Sequence, residues 1–299
     1  MDVSIIIVNY NTCKMTAECI DSVIEKTTDL SYEIILVDNA STDGSKDFFT
    51  NDNRITYLYN DENLGFGRAN NCGVKIAKGR NILFLNSDTL LINNAVKIMS
   101  DYLDTHKHVG AVGGNLYTHD MRPGMSFQRL RPSLSWEIND LLLNLPLRIR
   151  YGKTATYFNT SSRPIKVGYI MGADLTTRKA IVDKIGCFDP QFFMYFEETD
   201  LCHRIAKNGY NLHVIPTAKI IHHEGKSFGE MTKSKLNPRK IEMFETSRTT
   251  YYQKNYPLKY NRLITIIYKL NLRIKKLFFS IFKKTDQCQA IELKIQLNN

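Results

Sequence analysis

The stretch Val3-Ser4-Ile5-Ile6-Ile7-Val8-Asn9-Tyr10-Asn11 decides the fold. A nearly unbroken apolar run of strand length, rich in β-branched residues, reads as a strand buried on both faces, and it stops at three polar residues. Working outward, the same unit recurs. Glu33 to Val37 ends at Asp38 and Asn39, Ile55 to Tyr59 follows, Ile82 to Leu85 ends at Asn86, Ser87 and Asp88, and Val109 to Val112 closes the series. Between these runs, Thr16 to Lys26, Ser45 to Thr50, Gly67 to Lys78 and Asn93 to Thr105 read as helices. Strict alternation of this kind predicts an α/β fold with a Rossmann-like, mostly parallel sheet flanked by helices. Such sheets bind ligands beyond the carboxyl ends of their strands, where the polar residues just named lie.

The rest of the chain is less even. Tyr117 to Pro164 holds the only tryptophan, Trp136, beside the leucine-rich Leu141 to Leu147, and reads as a helix plus loops. From Ile165 the pattern predicts a strand near Val167 to Met171, helices near Arg178 to Ile185 and across Glu198 to Asn208, then strands at Leu212 to Ile215 and Ala218 to Ile221.

Composition bounds the function. With 299 residues and 43% hydrophobic content the chain can bury a sizeable core. Six cysteines, none in a C-x-x-C pair, point away from zinc or a disulfide framework and toward a reducing compartment. No basic stretch or small-residue cleavage site accompanies the first apolar run, and no long uninterrupted apolar run occurs, so neither a signal peptide nor a spanning helix is expected. The net charge of +10 is concentrated: Thr246 to Thr285 carries ten Lys/Arg and no acid.

Four segments carry chemistry. Asp38, at a strand end before the turn-rich Asn39 to Ser45, suits hydrogen bonding to a base or ribose, although Asp38 and Asp43 also suit a purely turn-forming role. Asn86-Ser87-Asp88 offers oxygen ligands to Mg²⁺ or Mn²⁺ that bridges phosphates, or else a cap for the following helix. Phe192-Phe193-Met194-Tyr195-Phe196-Glu197-Glu198-Thr199-Asp200 ends an aromatic run in three acids at a helix start, a setting for a general base or for ordinary dipole compensation. His222-His223 offers imidazole to a metal, with Lys226 and Ser227 in reach of a diphosphate, or is an exposed pair without a role.

In order and spacing these segments, with Asn63-Leu64-Gly65-Phe66-Gly67-Arg68-Ala69-Asn70-Asn71 and Met171-Gly172-Ala173, resemble family 2 glycosyltransferases of the GT-A fold, especially bacterial rhamnosyltransferase-like members, over roughly Val3 to Gly229. The resemblance implies an inverting, metal-dependent hexosyl transfer from a nucleotide-sugar such as dTDP-rhamnose or a UDP- or GDP-sugar to a hydroxyl of a growing, lipid-linked cell-surface glycan. It implies that Val8, Asn9, Tyr10, Asn11, Asp38 and Asn39 hold base and ribose, with Asn63, Gly67, Arg68, Asn70, Asn86 and Ser87 along the donor. It implies that Asp88 binds Mg²⁺ or Mn²⁺ with His222 or His223, that Glu198 is the catalytic base, and that Gly172, Ala173, Asp174 and Glu197 lie on the acceptor side. Two departures stand out: Asn86 replaces the Asp that many relatives carry first in the metal motif, and Glu197-Glu198 replaces Glu-Asp.

The expected organisation is a catalytic domain over 1–230 and a helical, basic amphipathic extension over 231–299. Arg262, Lys269, Arg273, Lys276 and Lys283, at offsets of 7, 11, 14 and 21 from the first, share one helical face backed by Leu, Ile and Phe. That pattern predicts contact of 256–284 with an anionic membrane surface, hence a peripheral location on the cytoplasmic, inner face of the plasma membrane, with packing or a homodimer as the alternative. A catalytically inactive nucleotide-sugar sensor is the competing function. Nucleic-acid binding is disfavoured, because basic and aromatic residues do not interleave on one face. A dinucleotide oxidoreductase is disfavoured too, because Gly65-Phe66-Gly67-Arg68-Ala69-Asn70 lacks the third glycine.

Overall fold

The computed structural model describes residues 1–152, 157–223 and 237–298. The opening run forms β1 (Val3–Asn9), which pairs in parallel with β2 (Tyr32–Asp38) on one side and β4 (Asn81–Asn86) on the other. Its side chains alternate as the pleat requires: Ile5 and Ile7 face one core with Leu83 and Leu85, and Ile6 faces the other with Ile82 and Phe84. α1 (Cys13–Lys26), α2 (Ser45–Phe49) and α4 (Ala95–Thr105) cover the first face through Ile20, Phe49 and Met99. α3 (Phe66–Ile76), α7 (Lys179–Ile185) and α8 (Glu197–Lys207) cover the second through Ala69, Ile181 and Leu201.

With β3 (Thr56–Tyr59), β5 (Thr89–Leu91), β6 (Val109–Tyr117), β8 (Ile165–Lys166), β10 (Asp174–Arg178) and β11 (Asn211–His222), these strands make a nine-stranded sheet in the order β3-β2-β1-β4-β10-β6-β11-β5, with β8 on β11. β1 to β4, β6 and β11 run one way, and β5, β8 and β10 run against them. The expected strand at Val167 to Met171 is reduced to β9 (Tyr169–Ile170), which pairs with β7 (Phe127–Gln128) in a separate ribbon, while β8 precedes it. The expected helix from Arg178 begins one residue later, because Asp174 to Arg178 inserts antiparallel between β4 and β6. The two strands expected around Pro216 are one, β11, with a register shift between Ile215 and Lys219 that accommodates the missing proline N–H.

The middle segment supplies α5 (Leu134–Leu141) and α6 (Leu145–Tyr151). The C-terminal segment forms α9 (Pro238–Asn255), α10 (Leu258–Ile281) and α11 (Thr285–Leu297). α9 is fastened to the α/β layers: Lys254 bonds Asp189 and Asp200, Tyr251 O–H lies 2.9 Å from His203 Nδ1, and Ser247 donates to the Met194 carbonyl. At the junction of α5, α9 and α10, Arg248 donates to Glu137 at 2.6 Å and sits over the Tyr268 ring, while Tyr252 donates to the same carboxylate and Tyr268 to Glu245. Both members of the Arg248–Glu137 pair are buried, so each depends on the other for compensation of its lost hydration. Glu137→Ala therefore lowers unfolding stability by about 3–5 kcal/mol in urea titration, whereas a double replacement of Glu137 and Arg248 by methionine recovers most of that loss. Equal losses in the single and double variants would show that the pair carries no coupling.

Candidate active site

The polar ends of β1, β2 and β4 meet at one edge of the sheet, and the structure sorts them into scaffold and cavity. Asn9 is a buried hub: its Oδ1 accepts from Thr12 and Thr16, and its Nδ2 donates to Ser41. Asn11, at φ 54°, accepts from the Thr42 N–H at 2.7 Å. Asp38 is fully buried, accepting from the Ser41 N–H at 2.9 Å and the Tyr57 hydroxyl at 2.8 Å. Asn39 donates to Asn63 and accepts from the Leu64 N–H. Val8 is half-buried at the end of β1, and Tyr10 beyond it is exposed. These residues weld the β1, β2 and β3 ends into a rigid rim.

Three residues expected along the donor have other contacts. Arg68 donates twice to the Pro190 carbonyl, at 2.9 and 2.7 Å, and Asn70 donates to Phe66 within α3. Gly67 lies so close to Phe188 that a Cβ would come within 3.0 Å of it. Arg68, the close Gly67–Phe188 approach and the Phe66 N–H, which donates to the Phe193 carbonyl at 3.0 Å, hold α3 against the loop that leads into α8.

A cavity of about 370 Å³ opens beside this rim, bordered by Asn86, Ser87, Asp88, Gly172, Ala173, Tyr195, Glu197, Glu198, His222 and Lys240. Asp88 is not a helix cap, because β5 follows it directly and Asn94 caps α4. Its carboxylate lies 3.3 Å from His222 Nε2, which also lies 3.3 Å from Asn86 Nδ2. His223 is turned the other way, as strand alternation requires: its backbone N–H donates to the Asp88 carbonyl and its ring stands 5.4 Å from that of His119. His222 is thus the histidine that faces Asp88. Lys226 and Ser227 lie outside the described residues.

The donor chemistry of Asp88, His222 and Asn86 fits a hard or borderline divalent cation, and the buried Asn86 Oδ1 has no hydrogen-bond donor among the described residues. No cluster of three His, Cys, Asp or Glu converges among the described residues, so the protein would leave several coordination positions to substrate and water.

The opposite wall is the start of α8. Tyr195 and Phe196 both adopt left-handed backbone, at φ 68° and 66°, an arrangement that costs energy in non-glycine residues and recurs at functional sites. The kink delivers Glu197 and Glu198 into the cavity at the positive end of the helix. Burial raises both carboxyl pKa values, and Glu198 raises that of Glu197 further. Gly172 packs against Glu198: a Cβ there would stand 3.5 Å from the Glu198 Cβ. Asp174, expected on the acceptor side, is instead enclosed within the sheet, where it accepts from the Gly114 N–H and desolvation pushes it up to about 7. Sequence reading missed Tyr195 and Lys240; Tyr195 lay inside a segment already singled out, whereas nothing local to α9 marks Lys240 as a cavity residue.

The model of glycosyl transferase family 2 matches residues 4–165, more than half of the chain. The protein belongs to glycosyl transferase family 2. The N-acetylglucosaminyl-diphospho-decaprenol L-rhamnosyltransferase of Mycobacterium tuberculosis is 27% identical over 225 residues, which are 70% of this chain and 72% of that one. Glycosyltransferase GlyG of Streptococcus pneumoniae is 32% identical over 126 residues, only 41% of each chain. Among solved structures, the mannosyltransferase PcManGT of Pyrobaculum calidifontis, in complex with GDP-Man and Mn²⁺, superposes with a TM-score of 0.58 at 16% identity, covering 98% of this chain and 73% of its own. TarS of S. aureus gives 0.56 at 16% identity, with 98% of this chain and 55% of that one covered. The fold of this family 2 enzyme is therefore GT-A.

Gly65 is the hinge pin between α3 and the α8 loop: it has φ 80°, and a Cβ would fall 2.2 Å from the Phe193 carbonyl oxygen. Gly44 has a similar φ of 85° with open space around it. Gly44→Ala should lower thermal stability only by the left-handed penalty of about 1–2 kcal/mol. Gly65→Ala should cost clearly more and displace Glu198, read as a larger drop in Tm together with lost transfer activity.

Proposed function

We propose that the protein is an inverting, divalent-cation-dependent hexosyltransferase that uses a nucleoside-diphosphate sugar and extends a lipid-linked, cell-surface glycan from the cytoplasmic face of the membrane. The observation that carries this reading is that the Asp88–His222 pair and the Glu198 carboxyl border one cavity. A site that pairs a cation-binding end with a buried carboxylate suits displacement of a diphosphate by a hydroxyl.

In this reading Asp88 and His222 hold Mg²⁺ or Mn²⁺, whose role when bound is to neutralise charge on the diphosphate. Glu198 accepts the proton of the acceptor hydroxyl as its oxygen forms a bond to the anomeric carbon. The bond to the diphosphate breaks on the opposite face, so configuration inverts. Burial of Glu198 suits this work, since a raised pKa makes the carboxylate a stronger base than free glutamate while leaving it ionised at higher pH. Gly172 leaves room beside Glu198 for the acceptor, and Glu197 completes that wall. The rim built on Asn9, Asn11, Asp38 and Asn39 supplies a fixed edge against which base and ribose seat. The names of relatives support a lipid-linked or cell-wall acceptor: the rhamnosyltransferase above, a UDP-Glc:alpha-D-GlcNAc-diphosphoundecaprenol beta-1,3-glucosyltransferase of Escherichia coli, and a poly(ribitol-phosphate) beta-glucosyltransferase of Bacillus spizizenii. dTDP-rhamnose, UDP-sugars and GDP-sugars are the donors to screen.

Glu198→Gln should bind donor normally yet transfer sugar at least about 10²-fold more slowly. Asp88→Ala should abolish the gain in calorimetric donor affinity on adding Mn²⁺; an unchanged gain removes Asp88 from cation binding. Because Glu198 acts only when ionised and its pKa is raised, the rate should fall as pH drops through a value above the usual glutamate range. An acid limb at the ordinary glutamate value in the kcat profile would reassign the base.

A further inference from the structure

α10 has two apolar sides, and only one of them is buried among the described residues. Ile264, Tyr268 and Leu272 are buried against the neighbouring helices. On another side, Leu263, Ile266, Leu270, Ile274, Leu277 and Ile281 follow one another at spacings of three and four, the period of a single helical row, and all are between 43% and 68% exposed. Phe278 and Phe282 widen the row at its end.

A second exposed apolar element follows α5, a helix that packs on α10. α5 is fixed to α10 by Asp140, which accepts from Asn271 and Lys275. Immediately after α5 the chain exposes Leu142, Leu143, Leu145 and Ile149. Leu143 and Asn144 both take left-handed backbone, at φ 53° and 61°, and the turn is held by Asn139, whose side chain bonds Asn144 and accepts from the Leu147 N–H. The leucines are thus presented to solvent by a built, strained turn.

Charge identifies the occupant. Arg262, Lys269 and Arg273 run along the edge of the α10 row and make no ion pair among the described residues, and α10 contains no acid. Arg148, also exposed, lies next to Ile149. A second copy of the chain would set this acid-free face against itself and leave the cations without partners, whereas a bilayer containing anionic phospholipid offers both hydrocarbon and negative charge. No described helix is long and apolar enough to cross a membrane, which fits an element lying in the interface plane.

We propose that the exposed row of α10 and the Leu142–Ile149 turn together form one docking surface for an anionic phospholipid bilayer. This deepens the reading of a lipid-linked acceptor and rests on it for its purpose, but vesicle binding needs neither donor nor transfer and so is tested apart from it. Full-length protein is sedimented with vesicles of phosphatidylcholine alone and of phosphatidylcholine mixed with phosphatidylglycerol. Wild type and the Glu198→Gln variant should bind the anionic vesicles alike. Replacing Leu143, Ile149, Ile266 and Leu277 by serine should reduce binding to both vesicle types at least tenfold with the circular dichroism melt retained, as expected for exposed positions. Replacing Arg262, Lys269 and Arg273 by glutamine should remove the preference for anionic vesicles, a loss of about a hundredfold at low salt. Wild-type protein that binds neither vesicle overturns the proposal, as does serine-variant binding equal to wild type. A dimer in sedimentation velocity that the serine variant dissociates, without vesicle binding, also overturns it and assigns the surface to a second copy.

Discussion

Two carboxyl groups withdrawn from water at the start of one helix set the terms for everything around them. Glu197 and Glu198 are buried side by side, and each disfavours charge on the other. Their position depends on the left-handed pair Tyr195–Phe196, which no local preference would maintain. The surrounding structure over-determines it instead. Phe193 is held by the Phe66 N–H, Pro190 by Arg68, and Met194 by Ser247. Residues from α3 and α9, far apart in sequence, are thereby recruited to aim one side chain across a cavity at Asp88.

Most of the fold was legible because strands buried on both faces leave long apolar runs. β1, β2 and β4 were placed within a residue or two, and the polar residues ending them directed attention to the correct edge. β10 was not legible: Asp174-Leu175-Thr176-Thr177-Arg178 is short and polar, and only its neighbours on both sides bury it. Pro216 misled in the other direction, breaking β11 on paper while a register shift absorbs it in the sheet. At the candidate site, type and order pointed to Asp88, Glu198 and the His222–His223 pair, whereas which histidine faces Asp88 depends on which way the end of β11 is turned. Lys240 could not be found, since its only qualification is the tertiary packing of α9.

The C-terminal helices join the catalytic layers through polar links as well as through the buried cluster of Phe192, Tyr251, Tyr252 and Ile264. Arg248, Glu137, Tyr252, Tyr268 and Glu245 form a chain of charge-assisted contacts joining α5, α9 and α10. Since Lys240 and Ser247 on the same α9 reach the cavity and the α8 loop, the exposed row of α10 and the carboxylate wall are both attached to α9.

The antiparallel β10 also governs when the two halves of the sheet can join. β4 and β6 are both made early in synthesis, yet each lacks its shared neighbour until residues 174–178 have left the ribosome. A nascent chain of this protein therefore carries one bare edge on β4 and two on β6 for more than sixty residues of translation after β6 begins at Val109. Exposure of those edges to wrong pairing during that interval follows from where a single five-residue strand sits in the order.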